Sequence, residues 1–409
     1  MPKTLRTAAN IAERFPHLPT EEIERIAAFN RRIRFGVSEE MLAYFQTDER
    51  GVPLPTDPLA RRYWPFPQLL DTAPLDSYAG GSDNWEMPAD FPIPGNSAWQ
   101  WKYTDRICWR EFRCTEFCLD CFEANRTLKK DSQKHPRKND WSEGIAFIRE
   151  HPQIREVILT GGEPLIVTDT TLKQRLADIR SVKHVETIRI HTARGIHDTD
   201  RLSDTFAGLC REFSVTEIAL HILHSRQLTE RFKLAMERMA SGCGSTIRLA
   251  HIPVLLGVND ESGVQKELCA GLVRLGVKPY YWLHQMPSTS GISYPRLSVS
   301  HMVDVLRPLV GRGFSHMQCA EPIIVSRRGK KTVPMERTRF WLHESQVREG
   351  VWAIDNTQQR LEDFALSRQG DLLEFDGTPD FMYTTYGNQP VIVFKNWKGS
   401  WEMYPDAAE

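Results

Sequence analysis

The 409-residue chain carries 52 Lys+Arg against 53 Asp+Glu, a formal net charge of −1 at pH 7, with 41% hydrophobic and 26% charged residues. The charge balance excludes bulk nucleic-acid binding, which needs a basic surface, and the composition is that of a globular protein long enough for two to three domains or one α/β barrel with appendages. No uncharged apolar run approaches the ~18 residues of a membrane helix, and Met1-Pro2-Lys3-Thr4-Leu5-Arg6 lacks the apolar core of a signal peptide, so a soluble, cytoplasmic protein without a membrane partner is expected.

Residues 1–45 read as helix, with Thr20-Glu21-Glu22-Ile23-Glu24 as a capped start. From 50 to 100 the chain is rich in Pro, Asp and Gly and reads as an extended arm, so 1–100 form an N-terminal helical and extended region. The core, 101–300, is regular. Apolar, β-branched runs at 156–160, 187–192, 217–222, 247–256 and 278–285 alternate with helix-patterned stretches near 171–180, 199–212, 228–241 and 261–275. Repeated βα units build a parallel sheet, here a complete or partial α/β barrel of six βα units, whose chemistry belongs at the strand C-terminal ends. Thr160, Thr192, His221 and His284 sit at those ends. The remainder, 301–409, includes a charged segment at 336–388 that breaks the rhythm, and Val391–Tyr404 reads as a terminal β-hairpin.

Four of the eight cysteines, Cys108, Cys114, Cys118 and Cys121, fall within 14 residues. Cys114-Thr-Glu-Phe-Cys118-Leu-Asp-Cys121 is C-x3-C-x2-C. Cubane iron–sulfur clusters normally take four thiolates. Three closely spaced ones hold three irons and leave the fourth open to a ligand. The structural alternative is a zinc site with Cys108 as fourth thiolate, but its spacing fits paired zinc knuckles poorly. Cys108 reads better as a packed strand residue. Downstream, Thr160-Gly161-Gly162-Glu163-Pro164 follows the strand Val157-Ile158-Leu159. Paired glycines permit unusual backbone angles and close approach of a ligand, and Glu163 adds an acceptor for an ammonium group. Alone, such a turn is ordinary. Beside the cysteine motif it reads as half of a ligand site.

Together the two motifs resemble the radical S-adenosylmethionine (SAM) superfamily. The resemblance implies a [4Fe–4S] cluster on Cys114, Cys118 and Cys121, with SAM chelating the open iron. It also implies SAM contacts from Gly161, Gly162, Glu163 and Pro164, and an external electron donor such as flavodoxin or ferredoxin. The resemblance narrows to the lysine 2,3-aminomutase family through Val157–Asp169, Leu220-His221-Ile222-Leu223-His224, Val254–Asp260, Lys278-Pro-Tyr-Tyr281 and the pair Asp105-Arg106. It covers about 40 to 335 and 389 to 405, with 336–388 resembling an insertion, and it implies a homo-oligomer.

That family holds pyridoxal 5′-phosphate (PLP) on a lysine in a Gly-Lys-Thr/Ile-Pro-like segment. The matching stretch here is Arg328-Gly329-Lys330-Lys331-Thr332-Val333-Pro334. The glycine selects Lys330 and the Lys-Thr pair selects Lys331, with a slight preference for Lys331. Such a lysine must be desolvated enough to be partly neutral, and a cationic neighbour depresses its pKa in the same direction. As a bare string, the segment is an exposed basic loop. Arg106 is placed by resemblance at the PLP phosphate, where a guanidinium suits bidentate contact. His191, Thr192 and His221 are expected around SAM and PLP. Histidines 191, 221, 224, 251 and 284 together invite a metal-site reading, but polar strand ends around the two cofactors account for them without a second metal.

The sequence also departs from the family. Glu123 stands where lysine-specific members carry an arginine for the substrate carboxylate, with Arg126 the nearest substitute. The two aspartates that receive the distal ammonium of lysine are absent from Gln285-Met286-Pro287-Ser288 and Ile324-Val325-Ser326-Arg327. A buried ammonium lacking a carboxylate costs several kcal/mol, so lysine is not expected as substrate. Arg327 or Arg328 is available instead to an acidic side chain. The expected activity is a PLP-dependent amino-acid 2,3-aminomutase. The alternatives are a radical SAM reaction without PLP (dehydrogenation, lyase or epimerase) and a non-catalytic iron–sulfur protein.

Overall fold

The alternating, β-branched segments form strands where the sequence places them. The computed structural model describes residues 4–32, 34–66, 90–115, 118, 120–121, 123–127, 140–284, 299–309, 320–326 and 329–332, together with strands 347–348, 351–354, 357–360, 381–386, 389–395 and 401–405. Short strands β1 (Thr4–Leu5) and β2 (Val37–Ser38) pair antiparallel around the helices Ala8–Arg14 and Thr20–Arg32. The expected helix over 1–45 is thus broken by β1 and β2, and its second piece starts at Thr20 as the capping pattern implies.

The centre is one nine-stranded sheet in chain order: β3 (Trp99–Tyr103), β4 (Arg106–Glu111), β5 (Glu156–Gly161), β6 (Thr187–Thr192), β7 (Glu217–His221), β8 (Ile247–Val254), β9 (Lys278–His284), β10 (Glu321–Ser326) and β11 (Gly329–Thr332). Strands β4 to β10 run parallel, while β3 and β11 are antiparallel flaps at the two edges. The five strand runs expected from the sequence are β5 to β9, and β4 before them and β10 after them extend the parallel sheet to seven strands. Among the described residues the edges do not pair as strands. They meet where the Lys330 amide donates to the Tyr103 hydroxyl, at 3.2 Å. The sheet is therefore a partial barrel.

Three of the connecting helices begin on a hydroxyl cap, because a Ser or Thr oxygen satisfies an amide that the first turn leaves unpaired. Thr168 accepts from the Thr171 amide, Ser203 from Phe206 and Thr229 from Phe232. The helices bury Leu172, Leu176, Ile179, Phe206 and Phe232 against the outer faces of strands, where Ile188 and Ile190 are fully enclosed. On the β3–β4 flank, Trp99, Trp109 and Trp141 pack with ring centroids 5.1 Å apart, and the Arg175 guanidinium covers Trp109 and Trp141.

The N-terminal region is joined to this core. Leu5, Ile11, Phe15 and Trp64 enter the common core, Thr199 donates to Glu40 at 2.8 Å, and Arg226 pairs with Asp57 and donates to the Tyr44 carbonyl. Residues 67–89 of the expected extended arm lie outside the described residues. Beyond the barrel, β12 (Val347–Arg348), β13 (Val351–Ile354) and β14 (Thr357–Arg360) form one antiparallel sheet within 336–388. The terminal hairpin is β16 (Gln389–Lys395) with β17 (Trp401–Pro405), and β15 (Phe381–Tyr386) pairs on its other side. Among the described residues no helix is long and apolar enough to cross a membrane.

Candidate functional site

The cysteine motif emerges from the C-terminal end of β4, at the mouth of the barrel. None of Cys114, Cys118 and Cys121 is in a disulfide, and all three are half-buried. The loop is braced from both sides. Arg62, on the helix Pro58–Tyr63, grips Asp120 with two hydrogen bonds, Nε to Oδ1 at 2.7 Å and Nη2 to Oδ2 at 3.1 Å, and both side chains are only 7% exposed. On the other side Arg110 donates to both oxygens of Glu123 at 2.6 and 2.5 Å, and Arg126 lies 3.3 Å from the same carboxylate.

Gly161 and Gly162 serve this loop directly. Gly161 adopts φ +98°, and a Cβ there would sit 2.5 Å from both the amide nitrogen and the carbonyl oxygen of Glu111. A Cβ on Gly162 would meet the Arg113 carbonyl at 2.4 Å. Without side chains the turn lies flat on the root of the cysteine loop, where the Gly162 and Glu163 amides donate to the carbonyls of Glu111 and Arg113 at 2.5 and 2.9 Å. The glycine pair is needed for that backbone-to-backbone docking. Pro164 starts a buried single 3₁₀ turn directly after it.

Two expectations shift here. Glu163 was expected to offer its carboxylate to an ammonium group, but it is 1% exposed and already accepts from three internal donors. These are the Leu165 amide at 2.9 Å, the Thr192 hydroxyl at 2.7 Å and the Ala193 amide at 2.9 Å. Thr192, expected to face a cofactor, is held between Glu163 and the Arg194 amide on the side away from the barrel interior. Both residues tie the end of β5 to the end of β6.

Strand alternation sends every second residue inward. On β6, Ile188 and Ile190 face the helices, so Arg189 and His191 face the lumen. Arg189 lies 3.3 Å from Glu156 and 2.9 Å from Glu217, its neighbours on β5 and β7. Burial raises the Glu217 carboxyl pKa, against the pull of Arg189. Next along the lumen come His191, His221 and His251, with one ring nitrogen from each lying within 4.8 Å of the others. His224 is elsewhere: its Nδ1 accepts from the Arg226 amide and caps a 3₁₀ turn.

Lys330 on β11 reaches into the same lumen. Its Nζ stands 4.4 Å from the centre of the Tyr281 ring. The residue is solvent-exposed on β11, the edge strand of the sheet. Desolvation first, then Arg189, push its pKa down to about 8. Arg106 adds in the same direction and lies over the ring of Tyr103, whose hydroxyl takes the Lys330 amide. Arg106 also pairs with Asp105 at 2.9 and 3.2 Å.

Lysines 330 and 331 are adjacent on one strand and so cannot both face inward. The slight preference for Lys331 does not match the chain's path, because Lys330 is the lysine described in the lumen. The backbone of Lys331 pairs with Ile324, and its side chain lies outside the described residues, as does Arg327. Arg126, expected to receive a substrate carboxylate, is 2% exposed. Its guanidinium holds the Ser97 carbonyl and hydroxyl at 3.1 and 3.3 Å as well as Glu123, so it braces the loop.

The donor chemistry suits the groups that the sequence implies. Three cysteine sulfurs on one short loop are soft donors for iron, and a lysine with a depressed pKa can bond a cofactor aldehyde. Cys108 is not a fourth ligand to that loop. It sits on β4 with about 10 Å of strand between it and Glu111, and burial pushes its thiol up to about 11. Sequence motifs did not single out Arg62, Asp120, Arg110 or Tyr103. For Arg110 the available signal was a polar residue at an alternate position of a strand.

The chain is 27% identical over 314 residues to the L-lysine 2,3-aminomutase of Clostridium subterminale, spanning 76% of this chain and 71% of that protein. Over about three quarters of its length the chain is thus similar to L-lysine 2,3-aminomutases. The L-lysine 2,3-aminomutase of Methanococcus maripaludis is 32% identical over 237 residues, 56% of this chain and 53% of that one. Glutamate 2,3-aminomutase of Clostridioides difficile is 28% identical over 235 residues, 56% and 54% of the two chains. No protein-family model matches the chain. Among solved structures, coproporphyrinogen III oxidase from Escherichia coli, a radical SAM enzyme, covers 75% of this chain and 73% of its own at 14% identity, with a TM-score of 0.36. The likeness to the aminomutases is one of sequence.

Proposed function

We propose that this enzyme is a PLP-dependent amino-acid 2,3-aminomutase acting on an amino acid other than lysine. The observation that carries the reading is Lys330, an accessible and partly neutral amine inside a barrel whose mouth bears the three-cysteine loop. Cys114, Cys118 and Cys121 would hold the iron, and the Gly161–Gly162 turn fixes the loop against the end of β4. Lys330 would bond the PLP aldehyde, and Arg106 beside Tyr103 suits its phosphate. When bound, the cluster with SAM supplies a carbon radical, and PLP carries the migrating amino group. The chain's own contribution is position and dryness: the strands enclose the lumen, and the Arg189 pairs fix the charge around Lys330. An external one-electron donor is required.

A substrate other than lysine is supported by the pairing of the described carboxylates. Glu123 is clamped by Arg110 and Arg126, and Glu156 and Glu217 share Arg189, so each of these acids already faces a guanidinium. The test is an anaerobic assay of the reconstituted, reduced enzyme with SAM, PLP and single amino acids, read by mass spectrometry. A β-amino acid from a substrate other than lysine is expected. β-Lysine as the main product would contradict the substrate reading. Formation of 5′-deoxyadenosine with no β-amino acid from any substrate would favour a reaction without PLP.

A further inference from the structure

We propose that His191, His221 and His251 form a three-histidine site for a divalent transition metal inside the barrel, separate from the iron of the cysteine loop. The three come from consecutive strands, β6, β7 and β8, and His221 pairs in register with His251. His191 lies two residues lower in register, opposite Ala219. Their ring centroids are 4.9 to 6.1 Å apart, and one ring nitrogen from each lies within 4.8 Å of the others.

Tetrahedral zinc with nitrogen ligands at about 2.0–2.1 Å spaces them by about 3.3 Å, so the widest pair need close by roughly 1.5 Å, within reach of small side-chain rotations. Nε2 of His191 and Nε2 of His251 are buried without a hydrogen bond among the described residues. His251 is itself only 3% exposed. Leaving such a nitrogen unpaired costs about 1–3 kcal/mol, and a metal ion would satisfy it.

The backbone of β9 is irregular beside His251. Between Ala250 and His251 the β8–β9 register slips by one residue, so β9 bulges at Tyr280, and Tyr280 and Tyr281 both pack against the imidazole, 6.1 and 5.2 Å away. Bulges of this kind re-aim side chains beside functional sites. Lys330 and Arg189 oppose a cation here, while Glu156 and Glu217 offset them. Three nitrogen ligands leave a fourth position open, as catalytic rather than structural zinc sites do.

The inference does not depend on the aminomutase reading. The full-length chain is reconstituted anaerobically with iron and sulfide so that the cysteines are occupied, then equilibrated with zinc and desalted. One zinc per chain is expected, with zinc-edge X-ray absorption showing nitrogen or oxygen neighbours at about 2.0–2.1 Å. His251→Asn and His221→Asn should each weaken zinc affinity at least 100-fold, measured by chelator competition. No zinc retained, sulfur neighbours at about 2.3 Å, or unchanged affinity in both variants would overturn the site. The absorption spectrum of the unmutated protein decides the matter even if a variant fails to fold.

Discussion

The mouth of the barrel and its lower lumen are built in different ways. At the mouth, the cysteine loop and the Gly-Gly-Glu-Pro turn are each contiguous in sequence, and each touches the other through backbone. In the lumen, Arg106, Arg189, Glu217 and Lys330 come from four strands spread over more than half of the chain, and only register brings them together. A site assembled from short segments keeps its chemistry when the barrel shifts slightly. One assembled across strands depends on every pairing between them, and substitutions can take the contrast apart.

The largest effect is expected at the mouth. Cys114→Ala, Cys118→Ala or Cys121→Ala should each abolish SAM cleavage, with 5′-deoxyadenosine below detection by chromatography, while Cys108→Ser retains the cluster absorbance. Retained cleavage in all three loop variants would dismiss the motif's role. Next comes the brace. Arg62→Ala leaves Asp120 buried and unpaired, which should cost about 3–5 kcal/mol and show as lost iron content alongside a lower unfolding midpoint.

Gly161→Ala is expected to cost about 2–4 kcal/mol, because the φ is left-handed and the new methyl strikes Glu111, with cluster yield falling in parallel. The lumen answers to pH. At neutral pH an ordinary lysine is almost wholly protonated, but a group near 8 is about one-tenth neutral at pH 7 and half neutral at pH 8. The neutral amine is the reactive form, so PLP attachment should accelerate from pH 7 to about 8.5 and then level off. A rate still climbing toward pH 10 would place the attachment on a solvated lysine. The smallest effect is a control: Arg155→Ala breaks an exposed pair with Glu186 and should change stability by about 0–1 kcal/mol.

Much of this was legible in the sequence, for the same reason that separates mouth from lumen. The strands at 156–161, 187–192, 217–221, 247–254 and 278–284 match their alternating runs closely, since period and β-branching are local properties. The cysteine and glycine motifs were likewise local. Sequence spacing could not show that Glu163 and Thr192 face each other, because that contact joins two parallel strands end to end. Nor could it choose between Lys330 and Lys331, which differ only in which side of β11 they occupy. The same limit hid Arg110, whose inward direction follows from its place on β4 and from Glu123 across the loop. Residues 285–298, where the sequence lacks one expected aspartate, lie outside the described residues.

The most direct test of the central claim is to trap the cofactor on the chain. The intact enzyme is loaded with PLP, reduced with borohydride, digested and read by tandem mass spectrometry. The account predicts one phosphopyridoxyl group per chain on Lys330, lost in Lys330→Ala and retained in Lys331→Ala. An adduct on Lys331, a scatter over surface lysines, or no adduct at all would contradict it.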